Sequence, residues 1–182
     1  MVFLDRDGTI NEDPGCYVYK IGDFRFIENT LKGLKALQDN NYKLVIITNQ
    51  SGIGKGYYTE KQYQQVTKYM QKKLQKNGIT LEGIFHCSHA PIDNCECRKP
   101  KTKLVQEYLK NKEIDLSNSY MLGDQTSDMK FGENLGLHTI LLKTGYGGKD
   151  NSFEVNPTLI KENLFEASLF IIENERTKQY NW

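Results

Sequence analysis

Apolar residues gather in five short β-rich runs, at 1–5, 43–49, 83–88, 119–124 and 138–144. Between them, residues 30–40, 59–77, 101–112 and 126–135 carry apolar positions at helical spacing, and the pattern predicts four helices there. Thr59 and Gln62 have the spacing of a capping box, and Gly78 and Gly136 stand where helix-ending glycines belong. Strand and helix alternate throughout, which predicts an α/β fold: a parallel sheet with helices on both faces. Residues 145–157 read as loop. Beyond Thr158, the residues Leu159, Ile160, Leu164, Phe165, Leu169 and Ile172 predict a last amphipathic helix. It ends in a frayed 178–182 segment where Tyr180 and Trp182 offer packing anchors. No repeat or linker divides the chain, so one domain over 1–182 is expected.

The bulk properties narrow the function. The chain has 182 residues, 24 Lys and Arg against 23 Asp and Glu, and a formal net charge of +1. That balance gives nucleic acid no basic surface and gives disorder no charge excess. No apolar stretch reaches membrane-span length, and Asp5 arrives too early for a signal peptide. A cytoplasmic setting, away from membranes and nucleic acid, is the expectation.

Chemistry concentrates at the ends of the apolar runs. The first ends in Asp5-Arg6-Asp7-Gly8-Thr9, two carboxylates one residue apart closed by a Gly-Thr turn. The second ends in Thr48-Asn49-Gln50-Ser51-Gly52, where a hydroxyl and successive N–H groups can cradle phosphate oxygens. After the third comes Arg98-Lys99, and the fourth ends at Asp124 with Asp128 four residues on. Singly each has a bland reading: a solvated acid pair, a turn, a surface lysine, an acid favouring a helix start. An acid at the end of a buried strand such as Asp124 resists it, because it needs a cation or a strong partner.

A second cluster lies in the zinc loop, 86–99. Cys87, His89, Cys95 and Cys97 can close a four-coordinate Cys₃His site, the arrangement structural zinc prefers. His86 is the competing imidazole. His138, on another strand, is expected to pack, and Cys16 to be free.

The ordered set of D-x-D-G-T, strand-end Thr48, Lys99 and G-D-x-x-x-D resembles the haloacid dehalogenase superfamily of phosphohydrolases. The resemblance implies a Rossmann-like sheet with a minimal cap, and assigns roles residue by residue. Asp5 is the expected nucleophile, forming an aspartyl-phosphate, and Asp7 the acid and base. Mg²⁺ is expected on Asp5, Asp124 and the backbone carbonyl of Asp7, with Asp128 supporting it or positioning Lys99. Thr48 and Lys99 are expected to bind the transferring phosphoryl group, and Asn49, Ser51 and Arg98 the rest of the substrate. A catalytically silent phosphate-binding module is the alternative of another class.

The combination with C-x-H and C-x-C-R-K-P is similar to a narrower zinc-clipped group of heptose bisphosphate and histidinol-phosphate phosphatases. Tyr17-Val18-Tyr19, Phe24-Arg25-Phe26, the Thr48–Glu60 stretch and Thr144–Gly147 look like the former. The short zinc loop with Cys97–Leu104 looks more like the latter. Cys16, Ser88 and Gln125 depart from the usual Gly, Pro and basic residue. A sugar bisphosphate is the favoured substrate and histidinol phosphate the alternative. The glycine-rich segment from Ser51 to Gly56, with Lys55, is expected to face it as a loop.

Overall fold

Alternation along the strands separates two apolar cores. Val2, Leu4, Leu44, Ile46 and Leu122 turn to one side of the sheet; Phe3, Val45, Ile47 and Met121 turn to the other. In the computed structural model, which describes residues 1–110 and 112–179, these residues lie on β1 (Val2–Leu4), β2 (Leu44–Asn49) and β4 (Tyr120–Gly123). With β3 (Gly83–Cys87), β5 (His138–Leu142) and β6 (Leu159–Lys161) they form a six-stranded sheet of order β3-β2-β1-β4-β5-β6. Every pairing is parallel, as in Phe3 with Val45 and Leu4 with Leu122.

The first core is covered by α1 (Thr30–Asp39), α3 (Glu60–Lys76) and α6 (Leu164–Gln179), through Leu34, Leu37, Val66, Met70, Leu164 and Ala167. The second is covered by α4 (Lys103–Lys110) and α5 (Thr126–Leu135), through Val105 and Phe131. Each such fully buried Leu, Val or Phe contributes about 1.5–3 kcal/mol. The capping box forms, with Gln62 N donating to Thr59 Oγ1 at 3.3 Å and Thr59 N to Gln62 Oε1 at 2.8 Å. Gly136 caps α5 at φ +70°.

The structure departs from the sequence expectations in four places. Leu159 and Ile160 belong to β6, not to a helix, because the free edge of β5 accepts a short parallel strand there. Ile160 and Leu169, among the apolar residues that predicted the amphipathic helix, face solvent at 51% and 38% exposure. Residues 51–54 are a one-turn helix, α2 (Ser51–Gly54), rather than loop. The helix expected over 101–112 begins two residues later, at Lys103, and is described as far as Lys110. Tyr180 and Trp182 lie outside the described residues. Among those described, no helix is long and apolar enough to cross a membrane.

Chain order places the site. β2 and β3 extend the sheet to one side of β1, and β4 to β6 extend it to the other. The crevice outside the carboxyl ends of β1 and β4 is therefore a topological switch point, where open α/β sheets bind ligands.

Candidate active site

Asp5 leaves β1 with its N–H bonded to the carbonyl of Leu122 on β4, so its side chain is delivered to that crevice. Lys99 meets it there. The Lys99 Nζ lies 2.6 Å from Asp5 Oδ1, 2.6 Å from Asp128 Oδ1 and 2.7 Å from the carbonyl of Ile47. All three side chains are buried. Burial alone would lower the lysine's pKa, but Asp128 and Asp5 together raise it above its ordinary value. Asp5 is pushed up to about 7, by burial first and by Asp128 and Asp7, with Lys99 opposing.

Asp124 follows β4 and is fully buried. Its Oδ2 accepts the Tyr146 N–H at 2.8 Å and its Oδ1 the Thr9 hydroxyl at 3.4 Å. Burial, then the charges of Asp5 and Asp128, raise its pKa to about 9. Two glycines make room for it. A Cβ on Gly8 (φ +78°) would stand 2.3 Å from Asp124 Oδ2, and one on Gly145 (φ +56°) 2.2 Å from the same atom. Ligand oxygens of Asp5, Asp124 and Asp128 lie within 4.8 Å of one another. Of these three buried acids Lys99 pairs with two, Asp5 and Asp128, and the surplus of carboxylates fits a hard divalent cation bound through oxygen ligands.

Asp7 is held from several sides. Arg6, itself 1% exposed, donates to both Asp7 oxygens, from Nη2 at 2.8 and 2.9 Å and from Nε at 3.1 and 3.2 Å. Asn11 Nδ2 donates to Oδ1 at 2.9 Å and Gln50 Nε2 to Oδ2 at 2.9 Å. The same Gln50 Nε2 reaches the buried Thr48 hydroxyl at 2.8 Å. Beside Asp7 a cavity of about 370 Å³ is lined by Asn49, Ser51, Lys55, Arg98, Gln125 and Tyr146 among others. Asn49, expected on the substrate, uses its side chain otherwise. Its Oδ1 accepts from Lys99 N at 3.0 Å, and its Nδ2 donates to Lys99 O at 3.2 Å.

The zinc loop brings its four expected ligands together. Sγ–Sγ separations among Cys87, Cys95 and Cys97 are 3.1, 3.4 and 3.5 Å. His89 Nδ1 lies 3.2 Å from the Cys97 sulfur and 3.7 Å from that of Cys87. A tetrahedral ion with zinc–sulfur bonds of about 2.3 Å has sulfur–sulfur edges of about 3.8 Å, so the cluster fits zinc. His86 is engaged elsewhere, 3.1 Å from a Glu60 carboxylate oxygen and against the Tyr63 ring. His138 packs on Tyr120, and Cys16 is free and exposed. The loop also braces the phosphate turn. Cys87 O accepts from Gln50 N and Ser88 O from Gly54 N, both at 2.8 Å.

The sequence pattern did not single out Arg6, Asn11, Gln50 or Tyr58. Arg6 alone carried a signal, a cation between two acids at the end of a buried strand.

A HAD-hydrolase-like family model matches residues 96–167. The D-glycero-beta-D-manno-heptose-1,7-bisphosphate 7-phosphatase of Haemophilus ducreyi is 47% identical over 152 residues, 79% of this chain and 83% of that protein. The D-glycero-alpha-D-manno-heptose-1,7-bisphosphate 7-phosphatase of Photorhabdus laumondii is 38% identical over 179 residues, 94% of this chain and 96% of that one. Among solved structures, the D,D-heptose 1,7-bisphosphate phosphatase of B. bronchiseptica, complexed with magnesium and phosphate, superposes with a TM-score of 0.88. It is 25% identical, and the match covers 95% of this chain and 98% of that one. The chain therefore belongs to the haloacid dehalogenase-like hydrolases, in the group of heptose-1,7-bisphosphate 7-phosphatases.

Proposed function

We propose that this protein is a Mg²⁺-dependent phosphomonoesterase that removes the 7-phosphate of D-glycero-D-manno-heptose 1,7-bisphosphate through an aspartyl-phosphate on Asp5. The observation that carries the chemistry is the Lys99 ammonium 2.6 Å from both Asp5 and Asp128, in a buried acid cluster at the sheet's switch point. The substrate rests on the 47% and 38% identical relatives.

Asp5 attacks phosphorus and forms the acyl-phosphate bond as the ester oxygen departs with its electron pair and takes a proton from Asp7. Asp7 then withdraws a proton from water, whose oxygen attacks phosphorus and releases phosphate and the Asp5 carboxylate. Lys99 and the Thr48 hydroxyl hold phosphoryl oxygens through both steps, and Asp128 keeps Lys99 aimed. Asp5, Asp124 and the Asp7 carbonyl would hold Mg²⁺. When bound, Mg²⁺ neutralises charge between carboxylate and phosphate, which this reaction demands together with alignment.

Lys55 and Arg98 give the adjoining cavity positive charge suited to the second phosphate, alongside Ser51. Zinc on Cys87, His89, Cys95 and Cys97 is structural and suits a reduced cytoplasmic setting. The enzyme acts as a monomer.

The test is phosphate release with Mg²⁺ from both anomers of the heptose bisphosphate and from histidinol phosphate, with Asp5→Asn as control. Preference for a bisphosphate, abolished in the control, supports the reading. Preference for histidinol phosphate overturns the substrate, and silence toward all three overturns the reaction.

A further inference from the structure

Gln50 lies between the two groups that the reaction asks to cooperate. It is 2% exposed, and its carboxamide has every bonding position filled by side chains. Nε2 donates to Asp7 Oδ2 at 2.9 Å and to Thr48 Oγ1 at 2.8 Å. Oε1 accepts from Tyr58 OH at 2.6 Å and from Arg6 Nη2 at 3.2 Å.

The orientation of that amide is dictated. A guanidinium only donates, so the amide oxygen must face Arg6, and the Tyr58 hydroxyl then donates to it as well. The NH₂ is thereby turned toward Asp7 and Thr48. With the amide reversed, an oxygen would face the Asp7 carboxylate, acceptor against acceptor, and Arg6 would meet a second donor.

Tyr58 is built in for this. It is 4% exposed, and a Cβ on Gly52 would stand 2.1 Å from its Cε1, so only glycine admits the ring at that contact. Its ring stacks on Tyr19 at 5.3 Å between centroids with 2° between planes, and lies 5.6 Å from that of Tyr17. Tyr17 lines the substrate cavity.

We propose that Gln50 and Tyr58 are positioning residues for proton transfer: Tyr58 and Arg6 fix the Gln50 amide, and the amide holds Asp7 in register with Thr48. The proposal rests on the reading of Asp7 as acid and base. It assigns Tyr58 a role in turnover, although its hydroxyl bonds to Gln50 rather than to the reacting atoms.

The test compares Tyr58→Phe, which keeps the ring, and Gln50→Leu with the wild type. Each is assayed for kcat and KM on the heptose bisphosphate and for first-turnover release of p-nitrophenolate from p-nitrophenyl phosphate, a leaving group that needs no proton. Because positioned acid–base groups contribute about 10²–10⁴-fold, Tyr58→Phe is expected to lower kcat on the sugar about tenfold, and Gln50→Leu more. In Tyr58→Phe, KM should stay within about twofold and the first aryl turnover should be unchanged, since the Thr48 hydroxyl and the nucleophile keep their partners; Gln50→Leu, which also takes a donor from Thr48, should lose more on the sugar than on the aryl ester. An unaltered sugar kcat in both variants overturns the proposal, and so do equal losses on sugar and aryl ester, which mark general disorder. Asp7→Asn separates the two readings. If it leaves sugar turnover intact, the acid–base reading falls and this proposal with it; if it abolishes turnover while Tyr58→Phe and Gln50→Leu do not, only this proposal falls.

Discussion

Asn49 and Lys99 are tied by two hydrogen bonds running in opposite directions, Lys99 N to Asn49 Oδ1 at 3.0 Å and Asn49 Nδ2 to Lys99 O at 3.2 Å. The last residue of β2 thus grips the peptide of a residue fifty positions away and sets where the ammonium emerges. Asn49→Ala is expected to cost about 1–3 kcal/mol of stability, at about 1 kcal/mol per bond. It should lower turnover more than it weakens phosphate binding, because Lys99 drifts from Asp5. Denaturant unfolding with steady-state kinetics checks this, and unchanged stability would remove the clasp from the account.

Lys99→Met leaves Asp5 and Asp128 buried without their shared cation. Breaking a buried pair from one side costs about 3–5 kcal/mol. The variant should be inactive and destabilised, whereas Lys99→Met combined with Asp5→Asn should recover part of the loss. Urea midpoints of both proteins decide it; a double variant no more stable than the single one would contradict the pairing.

Asp5 and Asp124 titrate near 7 and 9 in the folded metal-free protein, against about 3.9 unfolded. The folded state keeps protons that the unfolded state has lost, so metal-free stability should fall as pH rises from about 4 to about 9. Lys99, raised above 10.5, changes nothing inside that window. Mg²⁺ removes the penalty for ionising the acids, so its stabilising effect should grow with pH. Melting temperatures with and without Mg²⁺ from pH 5 to 9 test this. A metal-free profile flat across that range would show that burial does not hold the protons.

Cys95→Ser should release zinc and loosen the segment that continues through Cys97 and Arg98 into Lys99. With a shift of about 2–4 °C per kcal/mol for a chain of this size, a fall of at least about 5 °C in melting temperature is expected. Metal analysis beside calorimetry reads it out, and a zinc-free variant melting like the wild type would make the clip dispensable.

The sheet was legible because β1, β2, β4 and β5 are buried on both faces and so appear as unbroken apolar runs. β6 was not, since three edge residues, two half-buried and one exposed, followed by a helix look like the start of that helix. That Asp5, Lys99 and Asp124 would meet, and that Cys87, His89, Cys95 and Cys97 would meet, was legible because such residue types at such spacing rarely gather without a shared charge or ligand to serve. Asn49 was assigned to the substrate although its side chain serves Lys99. Gln50 and Tyr58 were silent, because an uncharged residue that orients another has no pattern of its own. Only the folded chain shows that a tyrosine eight residues on aims the amide.

Gly8 and Gly145 give Asp124 its place by what they lack. A single methyl on either would land on the carboxylate oxygen, from two different loops, at backbone angles an L side chain resists. The side of Asp124 that these two loops enclose, in the seat proposed for the cation, is thus moulded by bare backbone. In a saturation screen for phosphatase activity, these two uncharged positions should score as harshly as the aspartate they enclose. They would do so while contributing no atom that touches the ion.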